Sequence, residues 1–154
     1  MDIGELLADD GVVLRGGASS KRQALHVVAD VAAETLGLTT ERVLEALLER
    51  EALGSTGLGS GVAVPHARVP GLARVTGVFV RLDTPVAYGS VDDQPVDLMF
   101  ALFAPPAAGA EHLRALAAVS RALRSSEMRE RLRQAHTADA IRALFVRDTA
   151  PAAA

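Results

Sequence analysis

The sequence predicts an α/β domain of the layered kind, with helices covering a central β-sheet. Three observations carry that prediction. Segments with helical spacing of apolar residues interleave with strand-like runs, and helices stand at both ends of the chain. One run, Val96 to Ala104 (VDLMFALFA), is almost wholly apolar, as a strand buried on both faces must be. And 49% of the 154 residues are hydrophobic, enough for a real core at this length.

The chain opens with IGELL, a short apolar turn, and Val12 to Leu14 is strand-like. SSKRQALHVVADVAAETLGL then gives a strong helix signal. Ser20 can cap it, with Gln23 three residues on to complete a capping box. Leu25, Val28, Val31, Ala32 and Leu36 share one face, and Gly37 supplies the stop. A second helix begins after Thr39, turns Val43, Leu44, Leu47 and Leu48 inward, and ends around Ala52 to Gly54. Val62 to Val64 reads as a strand stopped by Pro65. Val75 to Leu82 and Val96 to Ala104 read as longer strands, with a turn-rich stretch between them that has room for a short strand around Val86 to Tyr88. From Glu111 to Leu123 helical spacing returns, with Leu113, Leu116, Val119 or Ser120, and Leu123 expected inward. Two shorter helices follow, over Glu127 to Gln134 and Ala138 to Phe145, the latter capped by Thr137. No linker or repeat interrupts this order. Residues 1–147 therefore read as one domain and 148–154 as a disordered C-terminal tail.

Composition removes several classes of function. Without cysteine there is no disulfide framework, thiolate nucleophile or cysteine-ligated zinc. The four histidines lack metal-ligand spacing, so neither metal nor cofactor is expected. Net charge is −3, the basic residues are scattered, and the only aromatics are four Phe and one Tyr, which argues against nucleic acid as a partner. All but one of the sixteen basic residues are arginine, the exception being Lys21. No apolar run is long enough to cross a bilayer, and the acidic start MDIGELLADDG lacks the features of a signal peptide. The expectation is a cytoplasmic protein with no direct membrane insertion.

The stretch GSTGLGSGVAVPHARVPG, Gly54 to Gly71, concentrates what chemistry the sequence offers. Gly54 and Gly59 have the spacing of a phosphate-binding P-loop, but Ser60 stands where its lysine is needed. A dinucleotide fingerprint starting at Gly57 or Gly59 would place its last glycine at Val62 or Val64, and the loop precedes a strand instead of following one. Neither nucleotide motif fits. Clustered glycines can instead expose backbone N–H groups to an anion, with hydroxyls from Ser55, Thr56 and Ser60 beside them. Pro65 stiffens the backbone and biases Val64 toward extended geometry, which would set His66 at a strand end. A neutral imidazole beside such donors suits receiving a phosphoryl group. The same pattern also describes a packed, hydrogen-bonded histidine next to an ordinary glycine turn, and periodicity alone leaves both open.

Three blocks in order decide further: LLEREALGSTGLGSGVAVPHARV, VTGVFVRLDTPVAYGSVDDQPVDLMFALFAP and EHLRALAAVSRAL. Over nearly its whole length the chain resembles the enzyme IIA domain of the fructose/mannitol class in the bacterial phosphoenolpyruvate-dependent phosphotransferase system, and its nitrogen-regulatory branch most of all. The resemblance implies an α/β sandwich with a mixed sheet flanked by helices. It implies that His66 is the phosphoryl acceptor and that His112 is a second histidine helping to hold the group. Arg50 and Glu51 would be a charged pair beside the active loop, and Ser55, Thr56 and Gly57 the loop lining the pocket, with Ser60 farther along it. Two positions depart from the family pattern, which commonly has Asn where Ser60 stands and Gly where Ala67 stands. His26 in the first helix and His136 in a late loop segment read as solvated or packing residues.

The implied activity is that of a phosphocarrier, a phosphotransferase component that takes a phosphoryl group on His66 from an HPr-type phosphohistidine donor in a nitrogen-regulatory role. Its onward partners would be regulatory target proteins or an enzyme IIB acceptor. Two alternatives stay open: a sugar-specific, fructose-type enzyme IIA transport subunit, and a regulatory binding module acting without phosphotransfer. A histidine-dependent phosphatase or hydrolase would need a general acid near His66, of which the sequence shows no sign.

Overall fold

The structure, a computed structural model, describes residues 2–149. Among these the order is α1 (Ile3–Leu6), β1 (Leu7–Gly16), α2 (Lys21–Leu36), α3 (Thr40–Ala52), β2 (Gly57–Gly59), β3 (Val62–Ala63), β4 (His66–Arg68), β5 (Thr76–Val86), β6 (Val96–Ala104), α4 (Ala110–Leu123), α5 (Ser126–Gln134) and α6 (Ala138–Thr149). The predicted layered α/β sandwich is what forms. Its sheet runs β1-β5-β6-β3-β2, with β4 also paired to β6. The sheet is mixed: β1 lies parallel to β5, β3 and β4 lie parallel to β6, and the β5–β6 and β2–β3 pairs are antiparallel.

The apolar run of β6 sits in the middle and feeds both faces. Met99, Ala101 and Phe103 join the layer made with α2 and α3, while Leu98, Phe100, Leu102 and Ala104 join the layer made with α1, α4, α5 and α6. This period-two division is why the run carries no polar alternation. Phe79 and Phe100 meet Phe145 of α6 edge-on, with ring centroids 5.6 and 5.1 Å apart.

The helix ends follow their local signals closely. Ser20 Oγ accepts the Gln23 N–H at 3.1 Å, although the Gln23 side chain reaches back to Ser19 N and Oγ, one residue earlier than a strict capping box. Gly37 closes α2 at φ +70°, a conformation in which a side chain is strained. Thr137 Oγ1 caps α6 through Ala140 N.

Four expectations change. The first strand extends well beyond Val12 to Leu14, because its pairing with β5 continues through bulges. No separate strand forms at Val86 to Tyr88, since β5 itself runs on to Val86. In α4 the buried face is His112, Ala115, Ala118, Val119, Ala122 and Leu123, and Leu113 is 68% exposed. The alanines let the helix lie close on the sheet, so the buried stripe is turned by one residue from the leucine spacing. Finally, α6 runs to Thr149, two residues into the segment expected as tail, while residues 150–154 lie outside the described residues.

Candidate functional site

Pro65 builds the site. With no amide hydrogen to give, it breaks the strand beside β6 into β3 and β4, yet its carbonyl still accepts the Leu102 N–H at 2.9 Å. His66 therefore opens β4, in register with Leu102, and does not end a strand as expected. Ala67 behind it is buried and has no positive φ, so its Cβ is accommodated without backbone strain.

The imidazole is held at both nitrogens. Nδ1 lies 3.0 Å from the Val64 carbonyl oxygen, and Arg50 Nε donates to Nε2 at 3.1 Å. A carbonyl only accepts, so Nδ1 carries the hydrogen of the neutral ring and the lone pair is left on Nε2. Burial pushes the His66 pKa below its ordinary value; the Val64 carbonyl opposes this, the Arg50 cation adds to it, and the Glu51 carboxylate opposes. The ring is thus neutral at pH 7, with its free lone pair in one defined direction.

Arg50 comes from the last turn of α3, where a cation also complements the helix dipole. Its Nη1 donates to the Gly54 carbonyl at 2.9 Å, so the same guanidinium ties the following loop. His112 arrives from the opposite layer, in the first turn of α4, with its ring centroid 5.6 Å from that of His66 and the planes at 76°. It is only 5% exposed, and its Nε2 has no hydrogen-bond partner among the described residues. Burial lowers its pKa too, followed by the neighbouring charges of His66 and Arg68.

A cleft of about 460 Å³ opens over these groups. Glu49, Arg50, His66, Arg68 and His112 form its polar side, and Leu53, Leu113 and Leu116 its apolar rim. Leu53 is 85% exposed and Leu113 68%, so the rim presents neighbouring apolar side chains to solvent.

Glu51, the next residue after Arg50, faces away from the cleft. Its Oε1 accepts from Thr56 N at 3.0 Å and sits 3.0 Å from Lys21 Nζ, and its Oε2 accepts from Thr56 Oγ1 at 2.5 Å. Tyr88 OH and Thr56 Oγ1 lie 3.1 Å apart. Because Thr56 gives its hydroxyl proton to the carboxylate, Tyr88 must be the donor to Thr56. Burial, then the Glu51 charge, push the Tyr88 phenol well above its ordinary value, so it keeps that proton.

The structure thus brings His66, His112 and Arg50 together and places Glu51 with Ser55 and Thr56 in an adjoining network. The loop donors are engaged within the protein: Thr56 N on Glu51, Gly57 N on Ser55 Oγ at 3.1 Å, and Ser60 N on Asp92 at 2.8 Å. Ser60 lies in the β2–β3 turn at φ +57°, its carbonyl held by Arg133, outside the cleft. His26 pairs with Asp30 on the exposed face of α2, and His136 is exposed, both apart from the site. Among the described residues no group of three or more His, Asp or Glu could hold a metal ion, and no helix is long and apolar enough to cross a membrane.

Three residues of the site are not visible from the sequence alone. Arg68 stands two residues after His66 on the same strand face, a period-two signal that becomes legible once β4 is known. It is braced by its Nη1 donating to the Pro106 carbonyl at 2.9 Å. Lys21 and Tyr88 reach the network from distant elements and leave no local signal.

The site is thus a neutral histidine held beside Arg50 and Arg68 in a cleft of a mixed-sheet α/β sandwich. The model of the family described as "Phosphoenolpyruvate-dependent sugar phosphotransferase system, EIIA 2" matches residues 5–147, and the chain belongs to that family. It is 44% identical over 153 residues to a nitrogen regulatory protein of Bradyrhizobium diazoefficiens, covering 99% of this chain and 100% of that protein. It is 33% identical to a fructose-specific EIIA component of the phosphotransferase system from Haloferax volcanii, over 88% of this chain and 89% of that one. The crystal structure of the nitrogen regulatory protein IIA-Ntr of Neisseria meningitidis superposes with a TM-score of 0.87 at 36% identity, covering 93% and 98% of the two chains.

Proposed function

We propose that the chain is a phosphocarrier whose His66 Nε2 accepts a phosphoryl group from an HPr-type phosphohistidine, and that it does so in nitrogen regulation. The observation that carries this reading is the fixed tautomer: Nδ1–H on the Val64 carbonyl leaves Nε2 as the nucleophile, facing the cleft edge where Arg50 waits. In the transfer the Nε2 lone pair forms the new N–P bond, and the donor's N–P bond breaks with its electron pair returning to the donor ring. The Arg50 N–H leaves Nε2 as the lone pair is used and turns to the phosphoryl oxygens, where Arg68 adds a second positive charge. Nδ1–H stays on the Val64 carbonyl and stabilises the charge developing on the ring. His112 closes the far side and offers its unpartnered Nε2 to the same oxygens.

Leu53, Leu113 and Leu116 form the surface on which the donor docks, and an enzyme IIB or a regulatory target protein takes its place afterwards. Phosphorylation adds roughly −1.5 to −2 charges at this rim, enough to change which partner fits. The location is the cytoplasm, where such donors work. The 44% identity to a nitrogen regulatory protein supports that role, and the 33% identity to a fructose-specific component supports a second reading as a sugar-transport subunit.

The test is intact-mass spectrometry after incubation with phosphoenolpyruvate, enzyme I and the phosphocarrier. The wild type is expected to gain one acid-labile phosphoryl group and His66→Ala none. Stoichiometric uptake by His66→Ala would overturn the assignment.

A further inference from the structure

Lys21 is the one lysine among sixteen basic residues, and it stands in an unfavourable place. It opens α2, whose first turn holds Lys21 and Arg22 and no acidic residue, so both cations oppose the helix dipole there. Something other than helix stability accounts for the position. Its ammonium lies 3.0 Å from Glu51 Oε1 and 4.4 Å from the centroid of the Tyr88 ring. The Glu51 side chain is only 6% exposed and that of Lys21 29%. The single positive charge of Lys21 serves a carboxylate and an aromatic face at once.

We propose that Lys21 is a positioning residue for phosphoryl transfer at His66, acting through Glu51 on Arg50 and on the loop at Ser55 to Gly57; this rests on the carrier reading above. Adjacent residues of α3 hold opposite charges with separate tasks: Arg50 reaches His66 and Gly54, Glu51 reaches Thr56. A nearly buried carboxylate left with only the neutral donors of Thr56 and Tyr88 draws on a neighbouring cation. Arg50 is the cation beside it on α3. Lys21 satisfies Glu51 from the far side and so leaves the guanidinium free for Nε2 and the incoming phosphoryl oxygens. It also cancels a negative charge that would otherwise repel the phosphoryl group. The charged and titratable groups around His66 are then Glu49, Arg50 and Glu51 from α3, Arg68 from β4, His112 from α4, and Lys21 from α2 behind Glu51.

The experiment compares wild type, Lys21→Met and Lys21→Arg in two measurements. One is the rate of phosphoryl uptake from the phosphorylated HPr-type donor. The other is the NMR titration of the His66 ring in the unphosphorylated protein, which needs no transfer. Lys21→Met is expected to slow uptake by roughly 10- to 100-fold, the scale of a misplaced catalytic group. Its His66 midpoint is expected to move to higher pH as the uncompensated Glu51 charge is felt. Lys21→Arg, which keeps the charge, is expected to recover most of the rate and to hold the midpoint near wild type. Uptake by Lys21→Met within about twofold of wild type would overturn the proposal, since a displaced group costs far more. So would equal losses in both variants with an unmoved midpoint, the mark of a purely structural residue. Should Lys21→Met fail to fold by circular dichroism, Lys21→Gln carries the same arms. Failure of the wild type itself to take up phosphate would refute the carrier reading instead, and the titration would still show whether Lys21 is coupled to His66.

Discussion

Replacing Arg50 with methionine removes a guanidinium that bonds to Gly54 and His66 and, on the proposed function, meets the phosphoryl oxygens. The bond from Nη1 to the Gly54 carbonyl lies at the surface, where one hydrogen bond contributes about 0.5–1.5 kcal/mol. For a chain of this length that lowers Tm by a few degrees, roughly 1–5 °C. The bond from Nε to His66 Nε2 at 3.1 Å orients the ring in the resting protein. Its loss alone would free the nucleophile and slightly speed transfer. Against that stands the lost positive charge beside the phosphoryl oxygens, and removing one such pre-positioned donor costs about 3–4 kcal/mol in the transition state, or 10²–10³ in rate. The missing charge outweighs the freed lone pair, so Arg50→Met is expected to take up the phosphoryl group about a hundredfold more slowly while remaining folded. Stopped-time mass spectrometry of phosphoryl uptake, with thermal unfolding on the same samples, measures both. A folded Arg50→Met protein that is phosphorylated within about threefold of wild type would refute the assignment of Arg50 to the phosphoryl oxygens.

Two further outcomes follow from the structure. His66 and His112 both have pKa values lowered from 6.5, so below that pH the unfolded chain binds protons that the folded protein does not. Stability is full above the unfolded value and falls as pH drops toward the lowered folded values. Urea unfolding between about pH 7.5 and about pH 5 is expected to show this decline, and His112→Ala to flatten it; an unchanged slope would contradict the burial argument. Ser60 holds φ +57°, a conformation that costs most side chains about 1 kcal/mol and asparagine less. Ser60→Asn keeps the bonds to Asp92 and Arg133, which use only backbone atoms of residue 60, and is expected to raise Tm by about 1–3 °C.

The layered fold was legible because its signals are local. The apolar run of β6, the caps at Ser20 and Thr137 and the stop at Gly37 each act over a few residues. The site was legible in part for the same reason: Pro65 and His66 are neighbours, and the resemblance supplied His112 and Arg50. What escaped depends on contacts between distant elements. The face of α4 was legible at Val119, Leu123 and the partly buried Leu116, but leucine spacing marks apolar residues without saying which of them meet the sheet, and Leu113 turns out to the cleft while alanines pack inward. The glycine loop read as a cradle of free donors, yet Glu51 and Ser55 from the loop's own neighbourhood and Asp92 from far along the chain occupy three of them, and composition does not show which way those side chains turn. Lys21 and Tyr88 converge on Glu51 from opposite ends of the first ninety residues, a meeting that only the tertiary fold creates.

The sheet divides the core into two apolar layers, and the site draws from both. Arg50 comes with the α2–α3 layer, His112 with the α4 layer, and His66 from the strand between them. The constellation therefore exists only while both layers are docked on the sheet. A chain that has lost either one retains a histidine but neither its orienting guanidinium nor its companion ring in full, and its Nε2 becomes an ordinary surface imidazole. The proposed uptake at His66 and the integrity of both layers are then one condition.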